Sequence, residues 1–173
     1  MTVYSALPAG LEPWQIKAIE RVNYLRGRVI THYAQCEFLL ADVSVKVDFR
    51  FVYLLKNRIR AAKEITQRGA PFDRYAEDVG GLCDELARWD DIRNFLVHGF
   101  ATLEHDPAGN FGFEFRRYER TADEKFQLLI WKIQMPDLEA AADRIGILCG
   151  TFMKTFERIY IEQGLEKQFR ELF

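Results

Sequence analysis

Cysteine is scarce. The 173-residue chain has three, Cys36, Cys83 and Cys149, and their odd number and wide spacing exclude a disulfide framework or a zinc site of paired ligands. They read as reduced thiols. Neither sign of charge dominates either: 24 Lys and Arg stand against 26 Asp and Glu, a formal net charge of -2. No global positive field draws the protein to nucleic acid, so any such contact must come from a local patch, and no DNA partner is predicted. No apolar run approaches the roughly 20 residues of a membrane span. The start, Met1 to Leu7, lacks the basic residues of a signal peptide, so the expected location is cytoplasmic, without membrane contact. Repeats and low-complexity segments are missing, and the 5 Pro and 11 Gly do not gather into a linker, which predicts one domain over residues 1–173.

What the chain does have is apolar side chains. They make up 49% of the sequence against 29% charged, enough for a sizeable core. After Glu12-Pro13, a helix-start pair, apolar residues recur at Ile19, Val22, Leu25, Val29, Cys36, Leu39 and Val43, predicting a long amphipathic helix interrupted at most by Gly27. From Val45 to Tyr53 the pattern alternates with period two, which reads as a loop or short extended piece. A second helix follows from Leu54 and stops near Gly69-Ala70-Pro71. A third is predicted from Phe72 or Asp73 to Gly99, because Tyr75, Val79, Leu82, Leu86, Trp89 and Leu96 advance by fours and threes.

One position on that stripe is not apolar: Arg93, four after Trp89 and three before Leu96. A guanidinium along a packing face needs a partner or an interface. Strand patterns follow, Phe100 to His105, a turn at Asp106 to Asn110, and Phe111, Phe113 and Phe115 alternating with polar or small residues; Phe126 to Ile133 adds a third candidate strand. Pro136-Asp137 then opens a last helix, with Leu138, Ala142, Ile145, Cys149, Phe152, Phe156 and Ile159 on one side. The expected class is mainly α, a helical bundle with a small β-hairpin or sheet insertion at about residues 100–135.

The most informative segment is Arg93-Asn94-Phe95-Leu96-Val97-His98-Gly99, at the end of the predicted third helix. It resembles the HEPN domain family, which is marked by an Arg, usually a polar residue after it, and a His at a helix end four to six intervening residues later. Here four residues intervene and the polar residue is Asn94. The resemblance implies a HEPN-like antiparallel helical bundle and a metal-independent endoribonuclease acting as a homodimer, as in prophage, phage-defence or toxin systems. Cleavage of RNA through its own 2′-hydroxyl needs a base, an acid and positive charge for the transition state. Histidine titrates near neutral pH, so His98 suits either proton role, and the Arg93 fork matches phosphate oxygens.

Asn94, four before His98, shares its helical face and could orient the imidazole or bind phosphate. One histidine cannot easily be acid and base in one step, so two copies of the motif at a twofold axis complete the site. HEPN-like domains often carry an acidic residue on an early helix facing the motif, which makes Glu37 the fourth candidate: it could pair with Arg93 or steer His98. Some HEPN toxins have a Tyr two residues after the His that a partner enzyme modifies. Here that position is Phe100, so a protein regulator must act in another way.

Other readings stand beside this one. Arg93, Asn94 and His98 could simply finish a helix, with His98 near the last carbonyls, Gly99 in a left-handed cap and Asp90 bridging Arg93. The domain could equally be a non-catalytic HEPN-like dimer that binds RNA, a nucleotide or a protein partner. His32 on the first helix and His105 beside the turn read as structural. Two basic clusters, Lys56, Arg58, Arg60 and Lys63, and Arg116, Arg117 and Arg120, could touch RNA, with the neighbouring Phe side chains stacking on bases. Alternating Phe in a strand more often packs on a bundle. No grouping of residues has metal-ligand or phosphate-loop spacing, so neither a metal nor a cofactor is predicted.

Overall fold

A computed structural model describes residues 10–105 and 111–165. The predicted turn at residues 106–110 and the side chain of His105 lie outside the described residues. The described chain is mainly helical, with five α-helices and a three-stranded antiparallel sheet. The first helix, α1 (Pro13–Asp48), runs unbroken through Gly27, starting from a Glu12/Gln15 capping box. It covers Val45 to Asp48, where the period-two pattern suggests extended chain; the helix stops only where Phe49 turns into the left-handed region, φ 53°. Val45 and Val47 alternate in sequence but continue the helix, with Val47 packed partly buried against the core and Val45 exposed.

The remaining elements are α2 (Leu55–Gln67), a 3-10 turn (Asp73–Tyr75), α3 (Ala76–Arg88), α4 (Asp90–His98), β1 (Phe100–His105), β2 (Phe111–Arg120), β3 (Phe126–Gln134) and α5 (Met135–Glu162). The single helix expected from Phe72 to Gly99 is therefore a short 3-10 turn and two helices. The chain bends at Trp89, a buried residue (5% exposed) that ends α3 and precedes α4. An apolar stripe that continues across the bend hides it from the sequence, since periodicity survives a change of axis.

An all-antiparallel bundle is not what forms. Arg21 pairs with Glu139 (2.7 Å), Arg28 with Asp143 (3.0 Å), Gln35 accepts from Cys149 (3.1 Å) and the Lys46 ammonium lies 4.2 Å from the Tyr160 ring centre. The numbers rise together, so α1 and α5 run parallel. The same holds for α1 and α2, because Arg58 meets Glu37 (3.9 Å) and Arg68 meets Asp48. Residues 49–54 carry the chain back along α1, which lets consecutive helices point the same way. By contrast α3 runs against α5, with Tyr75 at Glu162, Asp78 at Arg158 (2.6 Å) and Trp89 near Arg144 (6.0 Å).

One hydrophobic cluster joins these elements, with Leu25, Val29, Cys36 and Leu40 of α1 against Ile145, Phe152 and Phe156 of α5, and Leu86 and Leu96 closing it. The sheet is ordered β1-β2-β3, with Phe115 opposite Ala101 and Trp131. Its inner face packs on the helices through Phe113 and Phe115, 3% and 0% exposed, so the alternating phenylalanines are core and not a base-stacking platform. Gly99 is extended (φ -76°) instead of left-handed. Its lack of a side chain is needed for close approach, because a Cβ there would run into the Phe95 carbonyl and meet the Phe115 Cβ at 3.3 Å.

Burial of Phe115 against the Trp131 ring (5.4 Å) and beside the Arg26 guanidinium (5.6 Å) ties the sheet to the bundle. Phe115→Ala is expected to cost about 3–5 kcal/mol. Urea unfolding should still show one transition, and sheet and helix signals that separate in wild type would contradict this coupling.

Candidate functional site

The motif helix α4 begins just after the Trp89 bend and buries Leu96 completely, with Ile92 and Phe95 half-buried. At about 100° per residue, Arg93 and His98 diverge by roughly 140° around the helix. The two sides of α4 thus hold different parts of the motif. Arg93 turns toward α1. Its side chain, 30% exposed, donates to the Asn94 side-chain oxygen (2.8 Å), comes within 4.0 Å of the Glu37 carboxylate and lies 5.6 Å from the Tyr33 ring centre. Glu37, 18% exposed, also stands 3.9 Å from Arg58, so it sits between two guanidiniums.

Asp90, a candidate bridge to Arg93, instead accepts the Tyr33 hydroxyl (3.0 Å). Burial, and then that carboxylate, push the Tyr33 phenol up, so it stays neutral and donates. Asn94 turns its oxygen to Arg93, and no hydrogen bond joins it to His98 among the described residues. His98 is exposed and has no hydrogen bond to Arg93, Asn94 or Glu37. The structure therefore brings together Arg93, Asn94 and Glu37, and leaves His98 facing solvent at the end of the same helix.

One residue of this region escaped sequence analysis. Arg26 donates through Nε (3.0 Å) and Nη2 (2.6 Å) to the Leu96 carbonyl, holding the last turn of α4 against α1. Burial lowers its pKa, though an arginine remains charged under such conditions. The signal was available: Arg26, Tyr33 and Glu37 are spaced by seven and four, one face of α1.

The basic clusters are largely neutralised. Arg58 donates to the Val52 carbonyl (2.8 Å), Lys63 pairs with Asp84 (2.6 Å) and Arg60 with Glu64 (3.8 Å). Of the second cluster, Arg116 pairs with Glu114, Arg120 with Glu124 (3.0 Å), and Arg117 lies under Phe95 (4.7 Å) beside Asp91 (3.6 Å). His32 is half-buried; its Nδ1 has no hydrogen bond, and it stands where a Cβ on Gly146 would lie 3.2 Å away. Burial raises the Cys36 thiol and pushes Cys83 up to about 12, which keeps both protonated. Among the described residues no three His, Cys, Asp or Glu side chains gather in a group that could hold a metal ion. No described helix is long and apolar enough to cross a membrane. No family model matches the chain, and neither a curated protein nor a solved structure does.

Glu114 is a strongly perturbed carboxylate, held down to about 2 by Lys132 and then Arg116. A carboxylate with a depressed pKa contributes stability that is complete above its ordinary value, near 4.5, and is lost as pH falls toward the folded value. Urea midpoints measured between neutral pH and pH 2 should fall over that window, and Glu114→Gln should flatten the decline. An unchanged profile in the variant would show that the cluster does not couple to folding.

Proposed function

We infer that this protein is a HEPN-like, metal-independent endoribonuclease that works as a homodimer, with Arg93, Asn94 and His98 of both copies forming one composite cleft. The observation that carries this reading is the accessibility of His98. It is exposed and free of hydrogen bonds to the motif, at the end of a helix whose Arg93 is held by Asn94 (2.8 Å) and faces Glu37 (4.0 Å). Glu37 on α1 lies within 4.0 Å of Arg93 on the motif helix, which supports the reading. Because one histidine cannot easily be acid and base in the same step, a second copy supplies the other proton-transfer group.

In that cleft one His98 removes the 2′-hydroxyl proton and the other protonates the leaving 5′-oxygen, while Arg93 neutralises the phosphorane-like transition state. Glu37 is a positioning residue that holds the Arg93 fork. The resemblance extends this proposal to a role in phage defence or as a toxin, with a protein regulator. The non-catalytic reading, a dimer that binds RNA, a nucleotide or a protein, is favoured by one observation: Arg58, Lys63, Arg116 and Arg120 all have carboxylate partners, leaving little free positive charge to grip a long RNA.

The test is cleavage of labelled structured and single-stranded RNA by purified protein in EDTA. Wild type should leave cyclic-phosphate ends, and His98→Ala, which removes both acid and base from the dimer, should be slower by at least about 10²–10⁴-fold, the usual contribution of one proton-transfer group. Equal rates for the two proteins, or no cutting by folded wild type, would favour the binding reading.

A further inference from the structure

Two large apolar surfaces are left uncovered among the described residues. One is the outer face of the sheet, where Phe100, Tyr118 and Ile130 are exposed. The other runs along α1. Tyr24, Gly27, Thr31, Ala34, Phe38 and Val45, all exposed, follow a heptad seam, with buried Ala41 completing the steps of three and four. No seam position carries a charge. Beside the seam, between α1 and α5, an open groove of about 510 Å³ is lined by Ile30, Thr31, Ala34, Gln35, Phe38, Leu39 and Met153, and Phe38 among them is 62% exposed.

We propose that this face of α1 and α5 binds the same face of a second copy, antiparallel across a twofold axis at Ala34, with each Phe38 seated in the partner's groove. This assignment rests on the homodimer reading above and names the surface that makes the dimer. The first argument is that projection and recess lie on one face with the right symmetry. Phe38 is four residues after Ala34 and Thr31 three before it, so a twofold at Ala34 carries Phe38 of one copy over Thr31 and the groove of the other. That reciprocity is what an isologous contact requires. The uncharged seam lets the two α1 helices approach without burying like charges.

The second argument is charge complementarity on α5. The bond from Cys149 to Gln35 and the contact of Gly146 with His32 place Ala34 and Gln35 level with Leu148 and Cys149. Asp143 and Lys154 lie equally far on either side of that level. The twofold therefore brings each exposed Lys154, which makes no ion pair among the described residues, toward the partner's Asp143, which is 67% exposed. Ile147 and Gly150 are related in the same way. Ile147 is 72% exposed, while a Cβ on Gly150 would meet nothing within 4 Å, so the projecting side chain of one copy faces open space on the other. The same relation sets Glu157 against Ala140 and Glu139 against Arg158, so it opposes no like charges along α5. An unrelated helix has no reason to match a pattern symmetric about one level of two helices. A second copy matches it by construction. Arg93, which touches Tyr33 and Glu37 at that same level of α1, then flanks the axis.

Sedimentation equilibrium and directed cross-linking test the surface. Wild type should have twice the 20.3 kDa chain mass, and Phe38→Glu should sediment as a single chain with an unchanged helical circular dichroism spectrum. Ala34→Cys should join two chains by a disulfide under mild oxidation; Cys36, Cys83 and Cys149 are buried and do not compete. Leu128→Cys, on the sheet face, should react more slowly by about tenfold or more, lacking the high effective concentration of a seated pair. A wild-type protein of single-chain mass, a dimeric Phe38→Glu, or faster coupling through Leu128→Cys would overturn the assignment. RNA cleavage by the same variants separates this surface from the nuclease reading. A dimer that couples at Ala34→Cys and cuts no RNA keeps the surface and removes the nuclease. A single-chain Phe38→Glu that cuts as wild type keeps the nuclease and removes the composite cleft.

Discussion

The parallel contact between α1 and α5 determines where every other element can go. Its core is apolar, with Leu25, Val29 and Cys36 buried against Ile145, Cys149 and Phe152. The polar pairs along its edge act differently. Arg21–Glu139 and Arg28–Asp143 are exposed, and such pairs add little stability; they fix register, since shifting α5 by one turn would separate each of them. At the far end Lys46, only 5% exposed, reaches the Leu165 carbonyl (3.3 Å), Asp42 (3.7 Å) and the Tyr160 ring. A buried ammonium is tolerated only when so surrounded, and it closes the ladder there.

With that register set, one flank of α1 is given to α5 and the other to α2 and α4. Arg26 and Tyr33 hold the last and first turns of α4, through the Leu96 carbonyl and Asp90. The sheet follows from the end of α4 without a loop, because Gly99 allows β1 to leave directly past Phe115. The motif thus has rigid support on its Arg93 side and none on its His98 side. The third flank of α1 faces outward, and it carries the uncharged seam.

Much of this was legible in the sequence. The start of α1 at Pro13, the end of α2 before Gly69, three strands and α5 all follow from turn residues and apolar spacing, which are local signals. Three features were not legible, each for a physical reason. The bend at Trp89 keeps the apolar stripe intact, so periodicity cannot report it. The parallel run of α1 with α2 depends on residues 49–54 returning along α1, and that of α1 with α5 on the elements between them, choices made by tertiary packing. Of the motif, periodicity marks Arg93 as a cation on a packing face, and it lies near Glu37; but Asn94, which its i, i+4 spacing pairs with His98, turns instead to the adjacent guanidinium. Spacing gives a shared face, and competition between nearby donors decides the bond.

In the proposed nuclease the chemistry needs two histidines, one from each copy, on either side of one phosphate. Subunit mixing tests this most directly. Wild type and His98→Ala, combined in equal amounts and allowed to exchange subunits, form wild-type, mixed and variant dimers in random proportion. If both histidines are required, only the wild-type dimers cut, and RNA cleavage falls to about a quarter of that of the same total amount of wild type. Cleavage at about half would mean that each copy works alone, and would contradict the composite site.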